Sequence, residues 1–470
     1  MTTTVPSARR ADSDAPVRRA RAATLLAASL GFAVIQLDVT VVNVAVRQIG
    51  VAFGGSVSEL QWVISAYTLM FAALILTGGA LGDRFGARRM FASGFGVFVL
   101  ASIACGLAPN IDVLIGARAV QGVGAAILGS CSLALVSHTF HDERERGRAI
   151  GLWAAGASVA LSGGPVIGGV LIATLGWRSI FFINLPIGLL GLWLTSRYAE
   201  ETPRAEDRDL DIRGQLAAVI ALATLAAATI EAGPHGLTNP WVLAGYGAFV
   251  LAAAAFVALE THGERPMLPL SLFRRRAFTS PALIGLLVNV CFYGLIFVFS
   301  LLFQAQHGYS ALEAGLAFVP MTVAILAANL RAAKIADALG APRTILLGVA
   351  AMALGCAGLL FTGHGTSYPE IVGQQVLLGG GLGLLVPPMT ASMLQSIERS
   401  RAGVASGTLN AMRQTGSLIG IALFGSLIVG RGAFFNGMHE ALAISLAVLL
   451  TAAVLAARLH RSTFAMMDPG

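Results

Sequence analysis

Leu37-Asp38-Val39-Thr40-Val41-Val42-Asn43-Val44-Ala45 closes an apolar run that begins near residue 20. The run is long enough to cross a bilayer, which takes about 20 apolar residues, and it carries a carboxylate well inside the span. The chain has 24 acidic residues, and all the others fall in connections, tails or helix ends. An ionisable group in hydrocarbon costs roughly 2.5–3.5 kcal/mol on insertion scales, so it marks a functional site by default. Asp38 is therefore the first candidate functional residue.

Composition fixes the class. Hydrophobic residues are 56% of the 470 and charged residues 12%, against about 25% charged in soluble domains. This is an integral membrane protein. The first run lacks a small-residue cleavage site and further spans follow directly, so a retained helix is expected in place of a signal peptide. Arg9-Arg10 and Arg18-Arg19 read as positive-inside charge and not as a twin-arginine signal. Cys105, Cys131, Cys291 and Cys356 lie in apolar helices without ligand spacing, so neither a disulfide framework nor a metal site is expected.

Apolar segments predict fourteen transmembrane helices, near 21–44, 60–80, 90–108, 112–137, 148–173, 179–197, 213–232, 240–260, 279–303, 312–333, 343–362, 370–395, 404–430 and 440–458. Odd-numbered connections carry three basic residues, Arg47, Arg178 and Arg431. Even-numbered connections and the tails carry 26 of the 31 Lys and Arg, among them Arg144, Arg146, Arg148 and Arg274-Arg275-Arg276. That asymmetry predicts both termini in the cytoplasm, in the cell's inner or cytoplasmic membrane, and accounts for the net +7 without a nucleic-acid partner. Arg118 and Arg413 fall inside helices.

The polar breaks Glu200–Arg213 and Thr261–Arg276, the latter with Pro266 and Pro269, bracket two helices that read as an insertion. The expected divisions are an N-terminal tail 1–20, a six-helix bundle 21–199, an inserted pair with its linkers 200–278, a second six-helix bundle 279–460 and a tail 461–470. A faint internal repeat links the bundles. Gly79-Ala80-Leu81-Gly82-Asp83-Arg84-Phe85-Gly86 is echoed by Ala333-Lys334-Ile335-Ala336-Asp337-Ala338-Leu339-Gly340, and Gly122 and Gly124 by Gly379 and Gly381. In that alignment Arg118 meets Gln375. Two similar bundles around a midplane site is the architecture of alternating-access transporters.

These segments together resemble the major facilitator superfamily, specifically its fourteen-helix drug/proton antiporter branch. Leu37–Ala45 is similar to the family's first-helix pattern, departing at Val46-Arg47 where the pattern has Leu-Pro. Gly79–Arg89 (GALGDRFGARR) is similar to the superfamily's cytoplasmic loop. The resemblance implies a latch there that stabilises the outward-open state, with Gly79, Gly82, Asp83, Arg84, Gly86 and Arg88 as its residues. On physical grounds Gly82 and Gly86 permit a tight turn, while Asp83 can cap the next helix and pair with a cation; an ordinary capped loop is the plainer reading. Leu114–Ala126 (LIGARAVQGVGAA) matches the family's fourth-helix motif with its intramembrane arginine. Each of Asp38 and Arg118 is expected about 9 Å below the outer end of its helix. The nearby cation and desolvation would pull the carboxyl in opposite directions, which makes a proton switch; a permanent salt bridge that orients helices is the alternative.

Gly156–Leu171 (GASVALSGGPVIGGVL) matches the fifth-helix motif that in the family accompanies antiporters. Gly156, Gly163, Gly164, Gly168 and Gly169 make a smooth packing face, and Pro165 removes a backbone hydrogen bond and softens the helix. Trp177–Gly188 (WRSIFFINLPIG) is similar to the family's turn between helices five and six. Substrate-cavity candidates are Trp62, Tyr67, Asn289, Tyr293, Asn410 and Arg413, with Gln414, Phe292, Phe297 and Met321 nearby; for each, core packing is the competing reading. Arg413 either greets an anionic group or bonds helix carbonyls. Glu231 reads as interfacial, and His138 and His141 as solvated.

No nucleotide-binding loop, nucleophile elbow or metal-ligand cluster occurs in the sequence, so no enzyme activity and no cofactor is expected, and the energy must come from an ion gradient. The expected function is a proton-coupled exporter of amphipathic, cationic drugs, working as a monomer in the bilayer, with Asp38 exchanging the proton and Arg118 tuning it. A specific metabolite or antibiotic exporter or a symporter on the same fold is the alternative, and a non-transporting membrane sensor the alternative from another class.

Overall fold

A backbone crossing hydrocarbon must satisfy its own polar groups, and a continuous apolar chain does so as helices. The computed structural model describes residues 8–205, 211–263, 266–268, 270–397, 402–430 and 434–465, and among them every long element is helical. Fourteen helices are long and apolar enough to span a membrane. They are α1 (Ala8–Phe53), α2 (Val57–Phe85), α3 (Ala87–Gly106), α4 (Ile111–Thr139) and α5 (Glu143–Leu175). After them come α6 (Ser179–Tyr198), α7 (Ile212–His235), α8 (Pro240–His262), α9 (Arg276–Gln306) and α10 (Ala311–Leu339). The last four are α11 (Ala341–Leu359), α12 (Tyr368–Gln395), α13 (Ala402–Gly430) and α14 (Phe434–Ala465). Pro269, Arg431 and the outermost ends of both tails lie outside the described residues.

The spans match the expected ones in number and order, with one correction. The first helix does not stop near 44 but runs unbroken to Phe53. With Val46-Arg47 in place of Leu-Pro, nothing interrupts its hydrogen-bond ladder. Arg47 therefore sits within α1 and not in a connection, and Asp38 lies about 22 Å from the end of the helix by the α-helical rise. Helix starts are strongly marked. Ser56 and Glu59 form a reciprocal cap at α2, and Ser310 and Glu313 form the same cap at α10.

The internal repeat is visible in the packing. α4 lies against α2 and α3, and α12 against α10 and α11 in the same way. A Cβ on Gly122 would overlap the Tyr67 carbonyl of α2, and one on Gly379 the Met321 carbonyl of α10. Gly124 approaches Phe98 of α3 within 2.8 Å on the same test, as Gly381 approaches the Gly348 carbonyl of α11 at 2.5 Å. α1 packs on α5 as α9 packs on α13. The two halves meet mainly through α2 with α13 and through α5 with α10, and more lightly through α1 with α9 and α10.

The inserted helices sit on one of these seams. α7 packs against both α2 and α13, while α8 packs mainly on α7 and buries only Val242 and Glu260. Gln215 of α7 donates 2.8 Å to the Ala73 carbonyl and accepts from the Thr77 hydroxyl, and Gly233 lies against Ser426. Gly122→Val is expected to lower stability by about 1–3 kcal/mol through overpacking, read as a lower Tm of the purified protein. Gly116→Val is the control, since a Cβ there meets nothing within 4 Å and Tm should not move.

Candidate functional site: a buried acid cluster and a one-sided cavity

Five helices converge on Asp38, which is 1% exposed. Arg118 Nη1 of α4 donates to Asp38 Oδ2 in a pair with both side chains fully buried. Gln121 Nε2 donates to Oδ1 at 2.9 Å and Asn184 Nδ2 of α6 at 3.2 Å. The Ser102 hydroxyl of α3 accepts from Gln121 at 2.9 Å and from Asn184 at 3.3 Å. Arg118 also donates through Nε to the Val63 carbonyl at 3.0 Å, and Tyr67 lies under its guanidinium at 4.3 Å. The acid is thus neither in bulk water nor against acyl chains. It is a buried charge met by three donors, a setting in which a buried ion pair holds.

Sequence reasoning paired Asp38 with Arg118 but overlooked Gln121, Asn184 and Ser102. Gln121 follows Arg118 by three residues and so shares its helix face, and Asn184 stands inside the quoted WRSIFFINLPIG segment. Both are polar side chains in apolar helices, a signal the sequence carried. Arg118 Nη2, the Tyr67 hydroxyl and Asn184 Oδ1 are buried without hydrogen-bond partners among the described residues.

A cavity of about 1400 Å³ lies between the halves. Its mouth is bordered by Gly79, Gly82, Asp83, Glu143, Arg146, Asp211, Pro266, Met267 and Gln395, so it opens on the face that carries the even-numbered connections. Deeper, α1 and α2 present Phe32, Gln36, Phe71 and Ile75, and α9 and α13 present Asn289, Tyr293, Asn410, Arg413 and Gln414. Four of the six cavity candidates therefore line it. Two do not. Tyr67 is fully buried on Arg118, though its neighbour Phe71, 6.0 Å away ring to ring, borders the cavity. Trp62 packs beside Leu69, Ala226 and Leu418, towards α7 and α13. Phe292 and Met321 instead face Thr40, Asn43 and Pro165.

The opposite face is shut. Gln61 Nε2 of α2 donates 2.9 Å to each of the Ile421 and Ala422 carbonyls of α13, and the Ser300 hydroxyl of α9 donates 2.5 Å to the Asn43 carbonyl of α1. On the α5–α10 seam, Gly169 approaches the Ala311 carbonyl at 2.8 Å on the Cβ test, and a Cβ on Gly315 would overlap the Pro165 carbonyl. Three other antiporter-motif glycines face α1, whereas a Cβ on Gly163 would meet only Ile167 of α5 itself. Gly164 lies on Thr40, Gly168 on Val41, and Gly156 more loosely on Ser29. α5 runs continuously through Pro165.

The 79–89 loop is held from one side. Gly86 has φ +96°, a region that favours glycine, and a Cβ there would overlap Glu201. Asp83 was expected to cap α3, but α3 has Gly86 at its cap position and no cap from that residue's side chain. Its first amides are met from across the loop, Ala87 N donating to the Thr202 hydroxyl at 2.8 Å and Arg88 N to Glu201 at 3.1 Å. Asp83 closes the last turn of α2, where its carbonyl accepts from Ala205 N at 2.8 Å. Arg88 also donates to the Ser196 carbonyl at 2.7 Å, Arg89 pairs with Glu201 at 3.5 Å, and Arg84 lies 5.5 Å over the Phe85 ring.

Arg118→Lys keeps the charge but cannot reach Asp38, Gln121 and the Val63 carbonyl together. The variant is expected to lose about 1–3 kcal/mol of stability and most transport, measured by thermal melting and by flux in vesicles.

The comparisons with known proteins agree with this architecture. The chain is 37% identical to multidrug resistance protein Stp of Mycobacterium tuberculosis (strain CDC 1551 / Oshkosh) over 412 residues, 88% of this chain and 76% of the relative. It is 38% identical to the methylenomycin A resistance protein of Streptomyces coelicolor over 452 residues, 96% of this chain and 93% of the relative. The crystal structure of the human organic anion transporter MFSD10 (TETRAN) superposes with a TM-score of 0.62 over 93% of this chain and 99% of that one; at 18% identity it shares the fold. The family model of the Major Facilitator Superfamily matches residues 28–421, and this chain, a multi-pass membrane transporter and not an enzyme, belongs to that superfamily.

Proposed function

We propose that the chain is a secondary exporter of amphipathic drugs or toxic compounds, exchanging them for protons by alternating access in the bacterial plasma membrane. The observation that carries this reading is the 1400 Å³ cavity, open on one face and closed on the other by Gln61, Ser300 and the α5–α10 seam. The drug-resistance relatives support export as the direction. The placement of 26 of the 31 basic residues in the even-numbered connections and tails supports a cytoplasmic mouth and cytoplasmic termini, so this conformation is the one that receives compounds from inside.

Asp38 is the proton-exchanging carboxylate in this reading. Protonating it removes the counter-charge of Arg118 in a dry pocket, which is strongly unfavourable for the packing of α1, α4 and α6 around the pair. Proton uptake and substrate binding therefore bias opposite arrangements of the halves, and linkage makes each promote the other's release. Gly164 and Gly168 let α5 move close against α1 while this happens.

Asp38→Asn is expected to abolish drug-dependent proton release from everted vesicles; unchanged exchange would remove the assignment. In the same vesicles the wild type should deplete compounds from the cytoplasmic side, whereas a symporter would accumulate them there. Gln61→Leu removes both bonds that bolt α2 to α13. It is expected to shift the population towards the state open at the far face, seen as about tenfold faster thiol labelling of a cysteine placed at Asn43.

A further inference from the structure

Arg413 differs from every other basic residue of the chain within the bilayer. Arg118 is paired with Asp38, but Arg413 has no ion pair among the described residues, and its Nε is buried without a hydrogen-bond partner. It sits on α13 at the inner end of the cavity, where α9 and α13 also present Asn289, Tyr293, Asn410 and Gln414. The amide donors of Asn289 and Asn410 are already used on backbone carbonyls of their own helices, Gly285 at 2.7 Å and Ser406 at 3.1 Å. The guanidinium is the one charged donor at this end among the described lining residues. Room for it is built in, since a Cβ on Gly285 of α9 would lie 3.3 Å from Arg413 Cγ. The facing wall, Phe32, Phe71, Ile75 and Leu76 of α1 and α2 with Gln36 among them, is mostly apolar and carries no charge.

We infer that Arg413 binds an anionic group of the transported compound, and that the substrates of this exporter are apolar bodies carrying a carboxylate or sulfonate. The inference rests on the export reading and narrows it, against the cationic compounds expected from the sequence. Among the described lining residues the acids, Asp83, Glu143 and Asp211, are at the cavity's mouth and the inner end carries only the cation. While the cavity is open, water solvates that cation. Closing the cavity over it strips the water away, and an unpaired charge in a dry site is costly. An organic anion removes that cost by a charge-assisted bond, which a guanidinium forms in bidentate geometry, and its apolar body takes the α1–α2 wall. Occupancy by such a compound is what permits the halves to close.

The test uses purified full-length protein and three probes on one scaffold: naphthalene-1-acetate, its methyl ester, and the matching trimethylammonium compound. Binding is read by scintillation proximity and flux in proteoliposomes with an imposed pH gradient. The wild type should bind the carboxylate about tenfold more tightly than the ester and the ammonium compound least. Arg413→Gln should erase the preference for the carboxylate while ester binding stays within about twofold, and Arg413→Lys should restore part of it. Equal loss for carboxylate and ester in Arg413→Gln, or no wild-type preference, overturns the inference and leaves the export reading standing if gradient-driven flux of any probe persists. Displacement of the carboxylate by equimolar inorganic phosphate would also overturn it, since the site would then take a free anion. Arg413-dependent binding without gradient-driven flux sinks the export reading and keeps the anion site.

Discussion

The salt bridge between Asp38 and Arg118 is the constraint on which the N-terminal half depends. A charge in the middle of a bundle is tolerated when it is paired and hydrogen-bonded, and here helices α1, α2, α3, α4 and α6 each supply a group to the cluster. That requirement fixes the rotation of all five about their axes. Asp38 is also the one counter-ion of Arg118 among the described residues.

The second half is built on the same plan without the charge. Gly379 and Gly381 seat α12 between α10 and α11 as Gly122 and Gly124 seat α4 between α2 and α3, yet Gln375 stands in the place of Arg118 and is fully buried. The polar group that matters in this half, Arg413, has moved to α13 and faces the cavity. One half therefore hides its charges from the substrate path and the other displays one.

Much of this was legible in residue order. The fourteen spans follow from apolar length, because a bilayer admits no other backbone solution for such a chain. The repeat was visible in paired glycines, and a second trace, Ser56 with Glu59 and Ser310 with Glu313, stood in the sequence at equivalent helix starts. The pairing of Asp38 with Arg118 could be anticipated, since two opposite charges at like depth in hydrocarbon have nowhere else to go. The reach of α1 to Phe53 was misjudged because the run of apolar residues weakens before the helix does. The cap of α3 was misassigned because its partners, Glu201 and Thr202, lie more than a hundred positions away.

The sequence by itself determined a membrane-spanning, all-helical chain in two related halves with one deep carboxylate, since burial, helix period and charge cost are local properties of residues. Only the tertiary structure decided which side of each helix meets the cavity. It turned Tyr67 onto Arg118 and Trp62 towards α7, and set Arg413 free at the end of a vestibule closed on the far face. Those choices depend on how helices far apart in the chain rotate against one another, and a hundred degrees of rotation separates neighbouring residues on a helix, so no reading of order alone contains them.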